Sequence, residues 1–237
     1  MQTVEEKLAE MDALGKTILK EGFAFAQFSQ ACQLFWDVFL EDTNPFTEEN
    51  LKFVSEEELE RAIERQTTGD YRRMYELLPK NIRAKVTIEK MIEIESQGVG
   101  AFVQAFDQGT DPVYLGVYNH EDDICYVRED TPSVWDRKRN EFHAVIAAHE
   151  LGHRYVRKKR EAMNIKGIGN SFWEEKYCKW IEGGFQRYVF GSASKERRVE
   201  ENIIWRKGIQ TKLGSHIFNS ELDKKATEYW IAGYKNN

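Results

Sequence analysis

Ala147-Ala148-His149-Glu150-Leu151-Gly152-His153 is the stretch on which the reading of this chain turns. On a helix, residues four apart project from one face about one turn apart. His149 and His153 can therefore reach a single ion, and neutral imidazole is a good ligand for Zn2+. Glu150, turned partly off that face, can reach a metal-activated water without itself binding the metal. Only five histidines occur in the chain, so an HExxH segment should arise by chance in on the order of one percent of chains of this composition. A pair of hydrogen-bonded core histidines beside a solvated glutamate is the weaker reading. Gly152 costs about 1 kcal/mol relative to alanine inside a helix, which makes sense where another helix or a ligand must approach closely.

Two ligands leave one to find, because catalytic zinc usually has three protein ligands and an open position. No third histidine follows at the HExxHxxGxxH spacing: position 156 is Val and position 159 is Lys. A glutamate on a second helix is needed, and Glu161, Glu174, Glu175 and Glu182 are the candidates. Glu161 stands eight residues past His153 on the same helix, roughly 12 Å along the axis, and cannot reach. Glu174 follows Ser171 at the S-x-x-E spacing of a capping box and reads as a cap. Glu182 sits in Trp180-Ile181-Glu182-Gly183-Gly184-Phe185, where adjacent glycines would cost stability unless close helix contact required them. Glu182 is expected as the third ligand, with Glu175 as the runner-up.

Outward from the motif, the helix is predicted from about Asp136 to Ala162, carried by Ala144, Ala147, Ala148 and Leu151. His143, six residues before His149, falls off the ligand face. Arg157-Lys158-Lys159-Arg160 closes the helix where cations favour the dipole. Further helices are predicted from Ser171 to Phe190, Lys195 to Lys212 and Ser220 to Tyr234. Upstream, Val99 to Phe106, Val113 to Tyr118 and Ile124 to Val127 are rich in β-branched and aromatic residues, separated by Asp/Gly/Asn turns, and read as antiparallel strands. Residues 1–97 read as helices, with Leu8, Met11, Leu14 and Ile18, and Phe25, Phe28, Cys32, Phe35 and Phe39, at helical spacing. Ser55 before Glu56 to Glu58 reads as an N-cap with a capping box. The expected fold is α+β and mostly helical: a helical N-terminal region (1–97) before a domain (98–237) in which a small antiparallel sheet packs beside the motif helix and a glutamate helix.

Composition narrows the partners. The 237 residues carry a formal net charge of −6, so no basic field draws the whole molecule onto phosphate backbones or anionic membranes. Nucleic acid is not expected as a partner. Cys32, Cys125 and Cys178 form an odd set without CxxC spacing, which fits reduced thiols. Glu5, Glu6 and Glu10 occupy the start, where a signal peptide would be basic and then apolar, and no stretch gives the roughly 20 apolar residues needed to span a bilayer. Cytoplasmic residence is the expectation.

HELGH followed by a glutamate helix resembles the gluzincin clan of metallopeptidases. Trp180 to Val189 (WIEGGFQRYV) is similar to the stretch that carries the third ligand in gluzincin aminopeptidases. That stretch normally reads W-L-N-E-G-F-x-x-Y; here Glu182 stands one place early and Gly183 occupies the usual glutamate position. The order of sheet, HELGH helix and glutamate helix is also similar to the compact ImmA/IrrE-like regulatory peptidases, whose E-A-N-x-F-A helix this chain lacks. The resemblance covers roughly Gly98 to Phe190. It implies a zinc cofactor, Glu150 as general base, a peptide or protein substrate, and substrate added as a strand to Val113 to Tyr118 or Ile124 to Val127. Tyr188, Arg187 and His216 are the candidates for an extra oxyanion or substrate contact. The competing expectation is a non-catalytic zinc-binding regulatory or interaction protein on the same kind of fold.

Overall fold

The computed structural model describes residues 2–43, 46–93, 115–130, 139–169, 171–191 and 207–235. It begins with two helices, α1 (Val4–Glu21) and α2 (Phe25–Leu40). Thr3 caps α1: its hydroxyl accepts from the Glu6 N–H at 3.2 Å while Glu6 Oε2 accepts from the Thr3 N–H at 2.7 Å, a reciprocal capping box. The helical spacing reads correctly here, since Leu8, Met11, Ile18, Phe28, Cys32, Phe35 and Phe39 are all buried. A short strand, β1 (Leu51–Val54), follows. Then come the long α3 (Glu56–Leu77), with the Ser55 hydroxyl accepting from Glu58 N–H at 3.3 Å, and the single turn α4 (Lys80–Arg83).

The hairpin β2 (Gly116–Asn119) and β3 (Ile124–Arg128) leads to the motif helix α5 (Arg139–Ala162) and the glutamate helix α6 (Ser171–Phe185). The chain past α6 continues as π-helix over Gln186–Phe190. A second π-helical stretch (Gly208–Leu213), α7 (Gly214–Ile217) and α8 (Ser220–Lys235) complete the described chain. The fold is α+β and mostly helical, as the sequence leads one to expect.

The sheet differs from the expectation. It is mixed, in the order β1-β3-β2, with β2 antiparallel to β3 and β1 parallel to β3. β1 arises in the region read as wholly helical: Leu51 and Val54 are buried and Lys52 is exposed, a pattern too short to stand out in a Glu/Lys-rich stretch. The predicted strand Val99 to Phe106 and the beginning of Val113 to Tyr118 lie outside the described residues, as does the start of the helix expected from Asp136.

One apolar cluster draws on both sides of residue 97, running from Leu8 and Phe28 through Val127 and Leu151 to Phe185 and Ile217, so the two expected regions share a core. Phe185, at the end of α6, packs edge-on against Phe28 and Phe35 of α2, each at 5.8 Å, a geometry that aromatic quadrupoles favour. Trp36 meets Tyr155 of α5 at 6.1 Å. The basic run at the end of α5 is spent on ion pairs as well as on the dipole: Arg157 pairs with Glu161 one turn along the same helix, and Lys158 with Asp123, Lys159 with Asp42 and Arg160 with Asp223 across the fold. Among the described residues no helix is long and apolar enough to cross a membrane, and Cys32, Cys125 and Cys178 are buried free thiols.

Candidate metal centre

Helices α5 and α6 pack closely because α5 carries a glycine at the point of contact. A Cβ on Gly152 would lie 3.1 Å from Ile181 Cδ1 and 3.3 Å from Cys178 Sγ, so the residue between the motif's ends lets α6 settle onto the histidine face. Leu151 turns the other way, into the core. At this crossing the Nε2 atoms of His149 and His153 face each other at 3.2 Å. Both atoms look onto one carboxylate: Glu175 Oε1 lies 3.6 Å from His149 Nε2 and Oε2 lies 3.3 Å from His153 Nε2. His149, His153 and Glu175 thus form a group that could hold a metal ion.

The outer nitrogens have carboxylates of their own. Glu174 Oε1 lies 2.9 Å from His153 Nδ1, in hydrogen-bond geometry. Glu182 Oε2 lies 2.9 Å from His149 Nδ1 but off the direction of a hydrogen bond, and it also takes a 2.8 Å ion pair from Lys179 Nζ. The structure therefore brings the runner-up, Glu175, to the inner face of the histidine pair. Glu182, expected as the third ligand, stands behind His149. Glu174, whose spacing suggested only a cap, stands behind His153. A proton on each Nδ1 would turn both Nε2 lone pairs toward the same point, as a shared cation requires; without a cation the 3.2 Å contact is a hydrogen bond from one ring to the other.

Electrostatics agree with such a site. Burial opposes charge on His149, yet Glu175, Glu182 and Glu150 outweigh it and raise its pKa. His153 is likewise penalised by burial but raised well above the usual value by Cys178, Glu174 and Glu175. Hydrogen bonds from the two histidines hold Glu175 far below the usual carboxylate range. Cys178, buried against Gly152 and hydrogen-bonded to His153, is pushed up to about 12 by burial, so it stays a thiol at neutral pH.

Glu150 points to the sheet. A Cβ on Gly116 of β2 would lie 2.8 Å from Glu150 Oε1 and 2.9 Å from its Cγ, so only glycine lets the strand lie this close. The Tyr118 backbone N–H donates to the same carboxylate. Because Leu115 O accepts from Arg128 N–H at 2.9 Å, the antiparallel alternation turns the backbone groups of Leu115 and Val117 toward β3 and those of Gly116 and Tyr118 away from it. Burial raises the Glu150 pKa, the two histidines pulling it back only in part.

A second contact fixes this strand against α5. Arg154, next to His153, makes a two-pronged pair with Asp123 at 3.0 and 2.9 Å. Asp123 sits in the left-handed region of the hairpin, with φ of 59°, and also accepts from Tyr118 OH at 3.0 Å. Sequence reading passed over this latch. Its only local signal was an Asp in a turn, a residue type that tolerates the left-handed region.

The remaining candidates have contacts of their own. Tyr188 is fully buried with its ring 4.5 Å from Phe39, and Arg187 lies in the π-helical continuation of α6. His216 stacks flat on Trp173 at 4.1 Å and 5°. His143 Nε2 hydrogen-bonds Glu129 O at 2.9 Å and its ring packs on Phe53, in keeping with its reading as off the ligand face. His120, unnoticed in the sequence, faces Asp70 of α3 at 3.6 Å. No protein-family model, curated protein or solved structure matches the chain. The functional reading therefore stands on the site itself.

Proposed function

We propose that the protein is a zinc-dependent peptide hydrolase with His149, His153 and Glu175 as ligands and Glu150 as general base. The observation that carries this reading is the convergence of two Nε2 atoms and one carboxylate, 3.2 to 3.6 Å apart, with a buried glutamate beside them. Donors about 2.0–2.2 Å from one tetrahedral ion lie about 3.3–3.5 Å from each other, and two histidines with one glutamate form a familiar catalytic zinc set. When bound, zinc supplies a Lewis acid that polarises a carbonyl and lowers the pKa of water toward about 7. Glu150 takes the proton of the attacking water and passes it to the leaving amine. Its raised pKa brings it nearer to the working range of a general base than a solvated glutamate would be.

Strand β2 supports a peptide as the substrate. Among the described residues it is an edge strand; the Gly116 N–H and C=O and the Tyr118 C=O face away from β3, while the Tyr118 N–H is taken by Glu150. An extended chain laid against that edge gains main-chain hydrogen bonds and brings a carbonyl close to the base.

The test pairs metal analysis with hydrolysis of a broad peptide library. Wild type should hold one zinc and cleave; Glu150→Gln should keep the zinc and lose cleavage; His153→Ala should lose both. Cleavage surviving in Glu150→Gln would remove Glu150 as the base. The second reading, a non-catalytic metal-binding regulatory protein, draws on the depth of Glu150, which is only 6% exposed. Bound zinc in a wild type that cleaves nothing in the library would favour it.

A further inference from the structure

We propose that Glu174 and Glu182 are the positioning residues of the metal group, one carboxylate behind each histidine, and that Lys179 sets how strongly Glu182 acts on His149. The inference rests on the metal-binding part of the reading above and not on hydrolysis. An imidazole offers a lone pair at Nε2 only when Nδ1 keeps the proton. A carboxylate on Nδ1 holds that proton, fixes the ring and makes Nε2 a better donor. Both outer nitrogens here have such a carboxylate at 2.9 Å. All the partners come from α6: Glu175 is the inner donor, Glu174 precedes it, and Glu182 lies seven residues on, close to two full turns and so on nearly the same face. One helix thus delivers the ligand and both supports, and its docking through Gly152 and Cys178 sets all three together.

The two supports are not equal. Glu174 is aligned with its histidine. Glu182 Oε2 is divided between His149 Nδ1 at 2.9 Å and Lys179 Nζ at 2.8 Å and sits off the ring's N–H direction. Lys179 is itself more than half exposed. Its positive charge draws the carboxylate outward and offsets part of its field on the ring. Removing that charge lets Glu182 align with His149 and leaves the site more negative, and both changes favour a bound cation.

The experiment measures Zn2+ and Co2+ affinity of the full chain by competition with a chromophoric chelator, without substrate. The variants are Glu174→Gln, Glu182→Gln, Lys179→Gln, the Lys179→Gln/Glu182→Gln double and, as reference, Glu175→Gln. Glu174→Gln and Glu182→Gln should each weaken binding by about 10- to 100-fold while keeping one site, and Glu175→Gln should weaken it further. Lys179→Gln should tighten binding by about threefold or more, and that gain should vanish in the double variant. Nitrogen-15 spectra of the zinc-bound protein should show the Nδ1–H signal of His153 displaced in Glu174→Gln and that of His149 in Glu182→Gln, changes that a merely structural role would not produce. Unchanged affinities in both Gln variants would overturn the proposal. So would loss of one-to-one binding in Glu182→Gln with retention in Glu175→Gln, which would make Glu182 the ligand. Tightening by Lys179→Gln that persists without Glu182 would remove Lys179 from its role. These fold-changes in the variants, with a wild type that cleaves no peptide, sustain this inference and remove the hydrolase reading; cleavage by wild type with unmoved affinities in the variants does the reverse.

Discussion

The inner face of α2 and the α5–α6 crossing are both helix contacts of one core, yet they are built from opposite materials. The face of α2 carries Phe28, Phe35, Trp36 and Phe39, all fully buried and packed on Phe185, Tyr155 and Tyr188, and it gains free energy from the water it excludes. At the crossing, two histidines and the carboxylates of Glu174, Glu175 and Glu182 meet within a few ångströms. Charges in such a place cost free energy unless they are paired or coordinate a metal. The first contact is a scaffold that is stable as it stands. The second gathers carboxylates around two histidines in a group that could hold a metal ion, and the scaffold bears the cost of keeping them together.

The largest expected effect tests that division. Phe185 stands where the two contacts join, on α6 but against Phe28 and Phe35. Phe185→Ala should lower stability by about 3–5 kcal/mol, measured by urea unfolding, while the fraction that remains folded still binds metal one to one. Loss of metal binding out of proportion to loss of fold would mean that scaffold and site are a single unit. The next effect comes from the other side. Zinc at about a hundred times its dissociation constant should stabilise wild type by roughly 2.7 kcal/mol and leave His153→Ala unmoved. Equal stabilisation of both would place the ion elsewhere.

A smaller effect is the pH dependence of the metal-free protein. His149 and His153 have raised pKa values in the fold, so their contribution is full below the unfolded value of about 6.5 and is lost as pH climbs through the folded values. Glu175 is depressed, so its contribution is present above about 4.3 and is lost as pH falls. Glu150, raised by burial, contributes while protonated, and this is lost as pH rises above about 4.3, which tilts the optimum toward the acid end of the window. With chelator present, stability should therefore peak between about pH 4.3 and 6.5. With zinc, which needs unprotonated imidazole, stability should hold or rise above that window. Unfolding curves that coincide with and without zinc at pH 8 would contradict the arrangement.

The scaffold was far more legible in the sequence than the site, for a physical reason. Apolar burial repeats with the helix, so Phe28, Cys32, Phe35 and Phe39 announce their face every three or four residues. HELGH announces two donors and a base in the same way. The choice between Glu175 and Glu182 has no such signal: seven residues apart, they lie almost on one face, and only the depth at which α5 crosses α6 decides which one meets the inner nitrogens. Gly183 and Gly184 suggested that the crossing lay at Glu182, and α6 does meet Gly152 through Cys178 and Ile181, yet it is Glu175 that faces the inner nitrogens. Glu174 was hidden by the capping rule, which is blind to anything outside its own helix. β1 was hidden by its length, since four residues beside a distant strand carry no period of their own.

That depth of crossing can be altered with almost no change in stability, which makes Gly152→Ala the smallest and sharpest test. Alanine in place of glycine favours the helix by about 1 kcal/mol. Against this, its Cβ would stand 3.1 Å from Ile181 Cδ1 and 3.3 Å from Cys178 Sγ, so α6 must give by a few tenths of an ångström. The two terms oppose each other and should leave urea stability within about 1 kcal/mol of wild type. Glu174, Glu175 and Glu182 all ride on α6, however, so the same shift moves the inner donor and both supports away from the histidines at once. Zinc affinity should fall by about tenfold or more in a protein that unfolds almost like wild type. A comparable substitution on the scaffold's apolar face would change stability and affinity together, through the folded fraction alone. If Gly152→Ala leaves affinity intact, the crossing tolerates slack, and the outer carboxylates do not depend on how closely α6 is docked.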